Sequence, residues 1–156
     1  MSDFMAVLDL GTTDVVKLEA RTKIMRLEAA IKAIPGHMEN DCFPLKHIFA
    51  PGVYAREIML PAGSILTGKI HREEHLNFIS RGRVQVFTEH GGLEELVGPM
   101  TMISKPWTKR TVYAIEETVW TTIHHNPTNE TDLVKLEEII IAPTYGALTG
   151  LKELTT

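Results

Sequence analysis

The residues best suited to chemistry in this chain are two histidines four positions apart, His71 and His75. A metal ion requires its ligands within ~2.0–2.2 Å, whereas residues i and i+4 of one straight strand lie ~13 Å apart. The two imidazoles can therefore share an ion only if the charged run between them, Arg72-Glu73-Glu74, is a bend between adjacent strands. We predict such a bend. Strand side chains alternate, so Lys69 then lies on the same face as His71.

His124 is the third candidate metal ligand, because it closes an alternating segment in which Trp120, Thr122 and His124 share one face. Two or three neutral imidazoles suit Zn²⁺, Mn²⁺, Fe²⁺ or Ni²⁺. The alternative is structural: the histidines hydrogen-bond to one another, or to Asn77, inside a polar barrel interior. We also count Asn77 among the candidate ligand-binding residues.

Lys69 and Tyr113 are candidates both for acid–base chemistry and for contact with a ligand. A buried, deprotonated lysine can act as a base, and an inward-facing tyrosine offers a hydroxyl; a core tyrosine with a satisfied hydroxyl is the alternative. Arg110, close to Lys105 and Lys109, offers positive charge to an anionic ligand at a barrel mouth. A solvated turn is the alternative use of that cluster.

These residues lie in a pattern of short strands between two helices. An amphipathic helix is predicted from an N-cap at Asp14 to Pro35-Gly36. A final helix is predicted from Leu133 to about Ile141, capped by Thr131-Asp132. Seven or eight short strands between them are typical of a sandwich or barrel. The apolar stripe of the first helix is predicted to contain Leu18, Ile24, Met25, Leu27, Ile31 and Ile34. The strands are predicted at about 53–60, 65–71, 75–80, 83–88, 93–97, 100–104, 111–116 and 119–124.

The segment from Gly63 to Gly82 resembles the first sequence motif of the cupin superfamily, which is Gly, five residues, His-x-His, three or four residues, Glu, six residues, Gly. Counted back from Gly82, His75 falls at the position of the family's Glu, and His71 matches the second His. Lys69 falls at the position of the first His. The second motif, around residues 98–111, has Thr at the positions of its second Gly and of its His.

Four segments, 47–57, 71–77, 108–110 and 118–124, are more closely similar to those of small cupin-like proteins that tailed bacteriophages often encode. The resemblance covers about residues 42–142. It implies a mainly β protein with a single RmlC-like, double-stranded β-helix or jelly-roll barrel, to which the sequence pattern adds an N-terminal amphipathic helix and a short C-terminal helix. We expect three parts: an N-terminal segment and helix at 1–36 that packs on the barrel or on a partner, the barrel with the C-terminal helix at 37–142, and a tail at 143–156.

The resemblance implies the fold, and the candidate residues within it lead us to predict a small-molecule-binding protein with a polar, histidine-containing pocket. A divalent-metal-dependent enzyme is one form of that function, and whether the protein is an enzyme stays open at this point. The alternatives are a non-catalytic protein that sequesters an anionic metabolite or nucleotide, and a structural or interaction protein. Fold alone does not choose among these functions.

Composition and charge narrow the choice of partner and compartment. The chain has 156 residues, a net charge of −4 and one cysteine, Cys42. Negative net charge disfavours nucleic acid as the main partner, and no run of ~20 apolar residues predicts a membrane span. Residues 1–10 lack the pattern of a secretion signal. We therefore expect a cytoplasmic protein, in the host cytoplasm if a phage encodes it. The unpaired helix stripe and the sheet edges predict a homo-oligomer.

Overall fold

The computed structural model describes residues 12–38 and 42–145, and these residues form two helices and eleven strands. The helices are α1 (Thr12–Ala33) and α2 (Leu133–Ile140). The strands are β1 (Leu45–Ala50), β2 (Gly52–Leu60), β3 (Ile65–Thr67), β4 (Ile70–His71), β5 (His75–Arg81), β6 (Arg83–Thr88), β7 (Gly92–Val97), β8 (Met100–Ser104), β9 (Arg110–Ala114), β10 (Thr118–Asn126) and β11 (Ile141–Ala142).

The strands form two antiparallel sheets around one core, together with a two-stranded ribbon. The larger sheet has the order β1-β2-β10-β5-β8, the smaller has the order β3-β9-β6-β7, and β11 pairs with β4. Several neighbouring strands, such as β2 and β10 or β3 and β9, come from distant parts of the chain, as they do in a jelly-roll barrel. The predicted mainly β class with a helix at each end is therefore confirmed. The core between the sheets consists of Ile58, Leu60, Ile79, Val84, Val86, Val112, Ala114 and Trp120.

Side chains on the inner face of the larger sheet lie in rows that cross its five strands, because paired residues of neighbouring strands share a face. The row at the base of the barrel is apolar, the second is mixed, and the third contains two of the candidate histidines. Polarity therefore rises along the barrel axis toward His75 and His124. The rows are Leu45-Ile58-Trp120-Ile79-Met100, then His47-Arg56-Thr122-Asn77-Met102, then Phe49-Tyr54-His124-His75-Ser104.

The outer face of the same sheet carries an apolar row across all five strands, which we call the outer row. Its members are paired strand by strand and all lie on the side away from the core. The described parts of α1 contact β3 and β6 of the smaller sheet. Ile48, Leu76 and Ile103 of the row are exposed among the described residues. The outer row consists of Ile48, Ala55, Ile123, Leu76 and Ile103.

The loop between β5 and β6 explains why the first cupin-type motif ends in glycine. Gly82 has φ of +102°, a conformation that side chains rarely adopt, and a Cβ there would lie 2.5 Å from the Glu117 carbonyl oxygen. Two backbone segments therefore cross at a distance that only glycine permits. The crossing joins the two sheets at the base of the barrel.

Helix α1 docks on the barrel with a face that differs from the predicted one. The helix starts at Thr12, two residues before the predicted N-cap Asp14, and it ends before Pro35. Ala20 and Ile24 are its buried apolar residues among those whose burial is described. Four members of the predicted stripe, Leu18, Met25, Leu27 and Ile34, are exposed on the single chain, so the barrel does not bury them.

Besides its buried apolar residues, α1 contacts the barrel through ion pairs. Arg21 of α1 pairs with Glu89, whose side chain is fully buried, and Lys109 pairs with Glu28 of α1 at 2.5 Å. The helix thus meets a surface with buried charge, and its orientation follows those partners. Neither of the two helices in the described ranges is long and apolar enough to span a membrane.

Helix α2 and the short strand after it cover one end of the barrel. The Asp132 carboxylate accepts hydrogen bonds from the backbone N–H groups of Val134 and Lys135, which confirms the predicted cap. Leu136 is buried against the barrel. The chain then forms β11, which the sequence pattern does not predict, and β11 pairs with β4. The predicted strand 65–71 is accordingly two strands, of which β3 pairs with β9 and β4 with β11.

Candidate metal and ligand site

Three separate elements bring the candidate histidines together. His75 opens β5 and His124 lies near the end of β10, one step beyond the paired residues Leu76 and Ile123. His71 ends β4, and residues 72–74 form a bend between β4 and β5. The two-stranded ribbon therefore supplies one histidine, and two adjacent strands of the larger sheet supply the others.

The three imidazole rings lie in mutual contact. Ring centroids are 4.3 Å apart for His71 and His75, 4.7 Å for His75 and His124, and 5.1 Å for His71 and His124. One nitrogen from each ring lies within 4.8 Å of the corresponding nitrogen in the other two. Nitrogens that share a tetrahedral ion at 2.0–2.1 Å are about 3.3 Å apart. The rings are thus close enough to bind one metal ion after small side-chain rotations.

Burial keeps these imidazoles neutral. Burial, followed by the neighbouring His75, His124 and Arg110 in that order, lowers the pKa of His71 to about 2. Burial, then His75, then Arg56 lower the pKa of His124 to about 3. The pKa of His75 is also lowered, again mainly by burial. Near neutral pH each ring therefore has a nitrogen lone pair, as a metal ligand must.

The hydrogen bonding of His75 is that of a metal ligand. Its Nδ1 lies 3.0 Å from the Glu73 carbonyl oxygen, which only accepts, so Nδ1 carries the proton and donates. Its Nε2 is buried and has no hydrogen-bond partner in the described part of the chain. Ligating histidines usually donate their second N–H in this way. No hydrogen bond among the described residues joins the three rings to one another or to Asn77.

Backbone contacts fix the position of His71. Ile141 of β11 pairs with His71, and the Trp107 N–H donates to the His71 carbonyl oxygen at 2.7 Å. Trp107 has φ of +61°, a left-handed conformation that is unfavourable for a bulky residue and that surrounding contacts must maintain. The Arg72 side chain donates to the Ile141 carbonyl oxygen at 3.0 Å. Hydrogen bonds to both of its strands, β4 and β11, therefore hold the short ribbon in place.

A cavity of about 400 Å³ lies beside the histidines, and His71 and His124 form part of its wall. Its polar wall also contains both inward-facing arginines, Arg56 and Arg110. The remainder is mainly apolar, so the cavity combines basic side chains with a hydrocarbon-lined body. The apolar lining comes from Leu45, Ile58, Leu60, Leu66, Val112, Trp120, Leu133, Leu136, Ile140 and Ile141.

A buried network orients Arg110. The indole N–H of Trp120 donates to Asn77 Oδ1 at 2.9 Å, which assigns the amide oxygen, and Asn77 Nδ2 then donates to Ser104 Oγ at 2.7 Å. Arg110 donates to the same Ser104 oxygen, and to Asn77 Oδ1 at 3.4 Å. Its guanidinium carbon lies 5.4 Å from the centroid of the Trp120 ring.

Comparison with known proteins gives a fold and no closer relationship. No protein-family model matches the chain, and no curated protein matches its sequence. The ectoine synthase of P. lautus superposes with a TM-score of 0.51 over 70% of this chain and 83% of its own, at 10% identity. An RmlC-like cupin from Methanocaldococcus jannaschii has a TM-score of 0.44 at 12% identity, over 56% of this chain and 85% of its own. KdgF from Halomonas has a TM-score of 0.47 at 15% identity, over 65% and 86%.

The strand order is that of a jelly-roll barrel, and the superposition on ectoine synthase shows the same fold. The fold is cupin-like. At these identities the likeness extends to the fold alone.

Of the other predicted site residues, Lys69 and Arg110 line the cavity, whereas Tyr113 does not. Lys69 lines the cavity, but its ammonium group pairs with Glu137 at 2.5 Å. Tyr113 is 40% exposed and is not part of the cavity wall, because Val112 and Ala114 of the same strand face the core. Lys109 pairs with Glu28 outside the barrel, whereas Arg110 faces the cavity.

Two cavity residues were not predicted from the sequence. Tyr54 stacks on His124 with ring centroids 6.0 Å apart, and its hydroxyl lies 2.8 Å from Nδ1 of His47. Both residues belong to the inner rows of the larger sheet. The period-two alternation of β2 carries a signal for Tyr54, since it shares a face with Ile58 and Leu60. His47 lies on β1, which was not among the predicted strands.

Proposed function

We propose that this protein binds a small organic molecule beside a divalent transition metal held by His71, His75 and His124. The single observation that carries the proposal is the buried, unpartnered Nε2 of His75 in contact with two further neutral imidazoles. Zn²⁺, Mn²⁺, Fe²⁺ and Ni²⁺ all accept imidazole ligands. When bound, such an ion polarises an oxygen atom of the molecule beside it.

Metal analysis of the purified protein tests this proposal. We expect about one equivalent of metal per chain after incubation with Zn²⁺, Mn²⁺, Fe²⁺ or Ni²⁺ and removal of the excess ion. His75→Ala should abolish the stoichiometric metal. The matched control is His125→Ala, because His125 is the exposed neighbour of His124 and faces the other way. Wild-type protein that holds none of the four metals, or His75→Ala protein that retains it, refutes the proposal.

A second function, catalysis by proton transfer, is supported by the hydrogen bond between Tyr54 and His47. The pair lies in the cavity wall, and Tyr54 stacks on His124. A tyrosine and a histidine in hydrogen bond can pass a proton to or from a bound molecule. Lys69 is less suited to act as a base, because its ammonium group is engaged in the ion pair with Glu137.

Mass spectrometry of a cellular small-molecule extract separates catalysis from sequestration. If the protein is an enzyme, the metal-loaded wild type should deplete a compound and produce another, and Tyr54→Phe should lose this conversion. Tyr113→Phe is the control, since Tyr113 lies outside the cavity. Retention of one compound without conversion would instead support the non-catalytic, sequestering function.

We further propose that the protein is of the phage type and acts in the cytoplasm, in the host cytoplasm if a phage encodes it. The resemblance of segments 47–57 and 71–77 supports the phage type, and the lone Cys42 suits a reducing compartment. Fractionation of cells that express an epitope-tagged full chain tests the compartment. The tag should be found with cytoplasmic markers, and its recovery with envelope fractions would contradict the proposal.

A further inference from the structure

We infer that the ligand of the cavity is an amphipathic organic acid whose carboxylate pairs with Arg110. This inference deepens the proposed function, because it names the chemical class of the small molecule. It rests on the charge of the cavity wall and on the surroundings of Arg110. Binding of the acid does not require the metal.

Arg110 is an inward-facing cation whose charge is offset by no acidic group among the described residues. Its two hydrogen-bond acceptors, Ser104 Oγ and Asn77 Oδ1, are neutral. No carboxylate in the described ranges pairs with it. Burial lowers the pKa of Arg110 to about 10, so the group is still charged at neutral pH and its desolvation is a real cost. A partly buried cation of this kind is stabilised when an anion enters the cavity.

Among the described residues, the polar wall contains more basic than acidic side chains. Arg56 and Lys69 line the same cavity as Arg110. Imidazoles are neutral or cationic in any protonation state, so the histidines cannot supply the counter-charge. Glu137 is the acidic residue of the cavity wall among the described residues, and its carboxylate pairs with Lys69.

The geometry of the network favours a planar anion. Trp120, Asn77 and Ser104 hold the guanidinium in one orientation, which removes much of the entropy cost of forming a two-point contact. A fixed guanidinium plane matches the two oxygens of a carboxylate. The mainly apolar lining of the remaining cavity fits a hydrocarbon body, and it offers little to the sugar hydroxyls of a nucleotide.

Isothermal titration calorimetry with four probes tests the inference. Octanoate should bind metal-free protein at least about tenfold more tightly than octanamide, which has the same body without charge. Octanoate should also bind at least about tenfold more tightly than acetate, which lacks the body. Octanoate that binds no better than octanamide or acetate overturns the inference. Octyl phosphate that binds more tightly than octanoate overturns the assignment to carboxylates in favour of phosphate monoesters.

Two variants locate the carboxylate at Arg110. Arg110→Gln should remove the preference for octanoate over octanamide, whereas Arg83→Gln should preserve it. Arg83 is the matched control because its guanidinium is exposed on the smaller sheet and pairs with Glu95. Ser104→Ala should reduce the preference several-fold, since it removes one anchor of Arg110. Ser104→Ala gives a second readout if Arg110→Gln fails to fold. If folded Arg110→Gln protein or folded Ser104→Ala protein keeps the wild-type preference, the inference is overturned.

The result of the octanoate titrations can be distinguished from the result of the metal analysis. Octanoate titrations use metal-free wild-type and His75→Ala proteins, in which no ion contributes to binding. If metal binds stoichiometrically and octanoate shows no preference, the inference fails and the metal proposal stands. If no metal binds and octanoate is preferred, the metal proposal fails and the acid-binding inference stands.

Discussion

Asn77 is the residue on which the polar part of the barrel interior depends. It is fully buried, at 0% exposure, and one amide satisfies donors or acceptors on three other side chains. Buried polar groups left without partners are costly, since they lose water without compensation. The network is therefore as important to stability as the apolar core beneath it.

We expect Asn77→Leu to lower the free energy of unfolding by about 2–4 kcal/mol, because the Trp120 N–H and the Arg110 guanidinium both lose an acceptor. Urea denaturation followed by tryptophan fluorescence measures the change. Ser80→Ala, on the exposed face of the same strand, is the control and should change stability by less than about 0.5 kcal/mol. Equal effects of the two substitutions would show that the amide network adds no stability.

The three histidines should make the metal-free protein sensitive to acid. Their pKa values are lowered in the folded state, to about 2 for His71 and about 3 for His124, so unfolded chains bind protons that folded chains do not. Stability is therefore complete above the unfolded value of about 6.5 and falls as pH decreases below it. Each histidine contributes a slope of up to about 1.4 kcal/mol per pH unit.

Urea denaturation of metal-free protein between pH 7.5 and 5 measures this slope. The His71→Gln variant should show a shallower decrease than wild type, because one of the depressed groups is absent. His125→Gln should match the wild-type slope, since His125 is exposed. A wild-type stability that is constant over this range would contradict the neutral, desolvated state of the cluster.

At the scale of elements, α1 is positioned by buried charge more than by its apolar stripe. Glu89 has a side chain at 0% exposure, and its ion pair with Arg21 reaches across 68 positions of the chain. A carboxylate in that position requires its partner, because an unpaired buried charge costs several kcal/mol. Helix docking and barrel folding should therefore be coupled.

We expect Arg21→Met to lower the free energy of unfolding by about 3–5 kcal/mol, since it leaves the buried Glu89 carboxylate without its arginine partner. Differential scanning calorimetry measures the effect as a lower Tm. Lys23→Met is the control, because Lys23 lies on the exposed side of the same helix. If Arg21→Met and Lys23→Met melt together, α1 is not held by this ion pair.

At the scale of the whole molecule, the predicted homo-oligomer has a candidate surface in the outer row. Five strands at ~4.8 Å spacing make this apolar row about 19 Å long, and its end residue Ile103 is 62% exposed. Two identical rows can align across a twofold axis, as isologous dimers do. The predicted occupant of this face is therefore a second copy of the chain.

Sedimentation velocity of the purified full chain tests this prediction. Wild type should sediment as a dimer or larger assembly, and Ile103→Glu should shift it toward the monomer, because two like charges would face the apolar row. Leu93→Glu is the control, since Leu93 is equally exposed but lies on the smaller sheet. A monomeric wild type, or an assembly indifferent to Ile103→Glu, contradicts the use of this face.

The sequence by itself determined the barrel and the histidine cluster to a large extent. Alternation with period two locates most strands, and the bend at 72–74 follows from the distance that a metal site allows. Asp132 as a helix cap is likewise a local signal. These features depend on side chains a few positions apart, whose relative directions the backbone geometry of a strand or helix fixes.

The tertiary structure alone decided which charged groups face the cavity. Lys109 and Arg110 are neighbours in sequence, yet one pairs with Glu28 of α1 and the other enters the barrel. Tyr54 of β2 stacks on His124 of β10. Strand β11, about 70 positions after His71, pairs with β4. Such contacts join residues about 70 positions apart, so no local period encodes them. They form only when distant segments pack around one core.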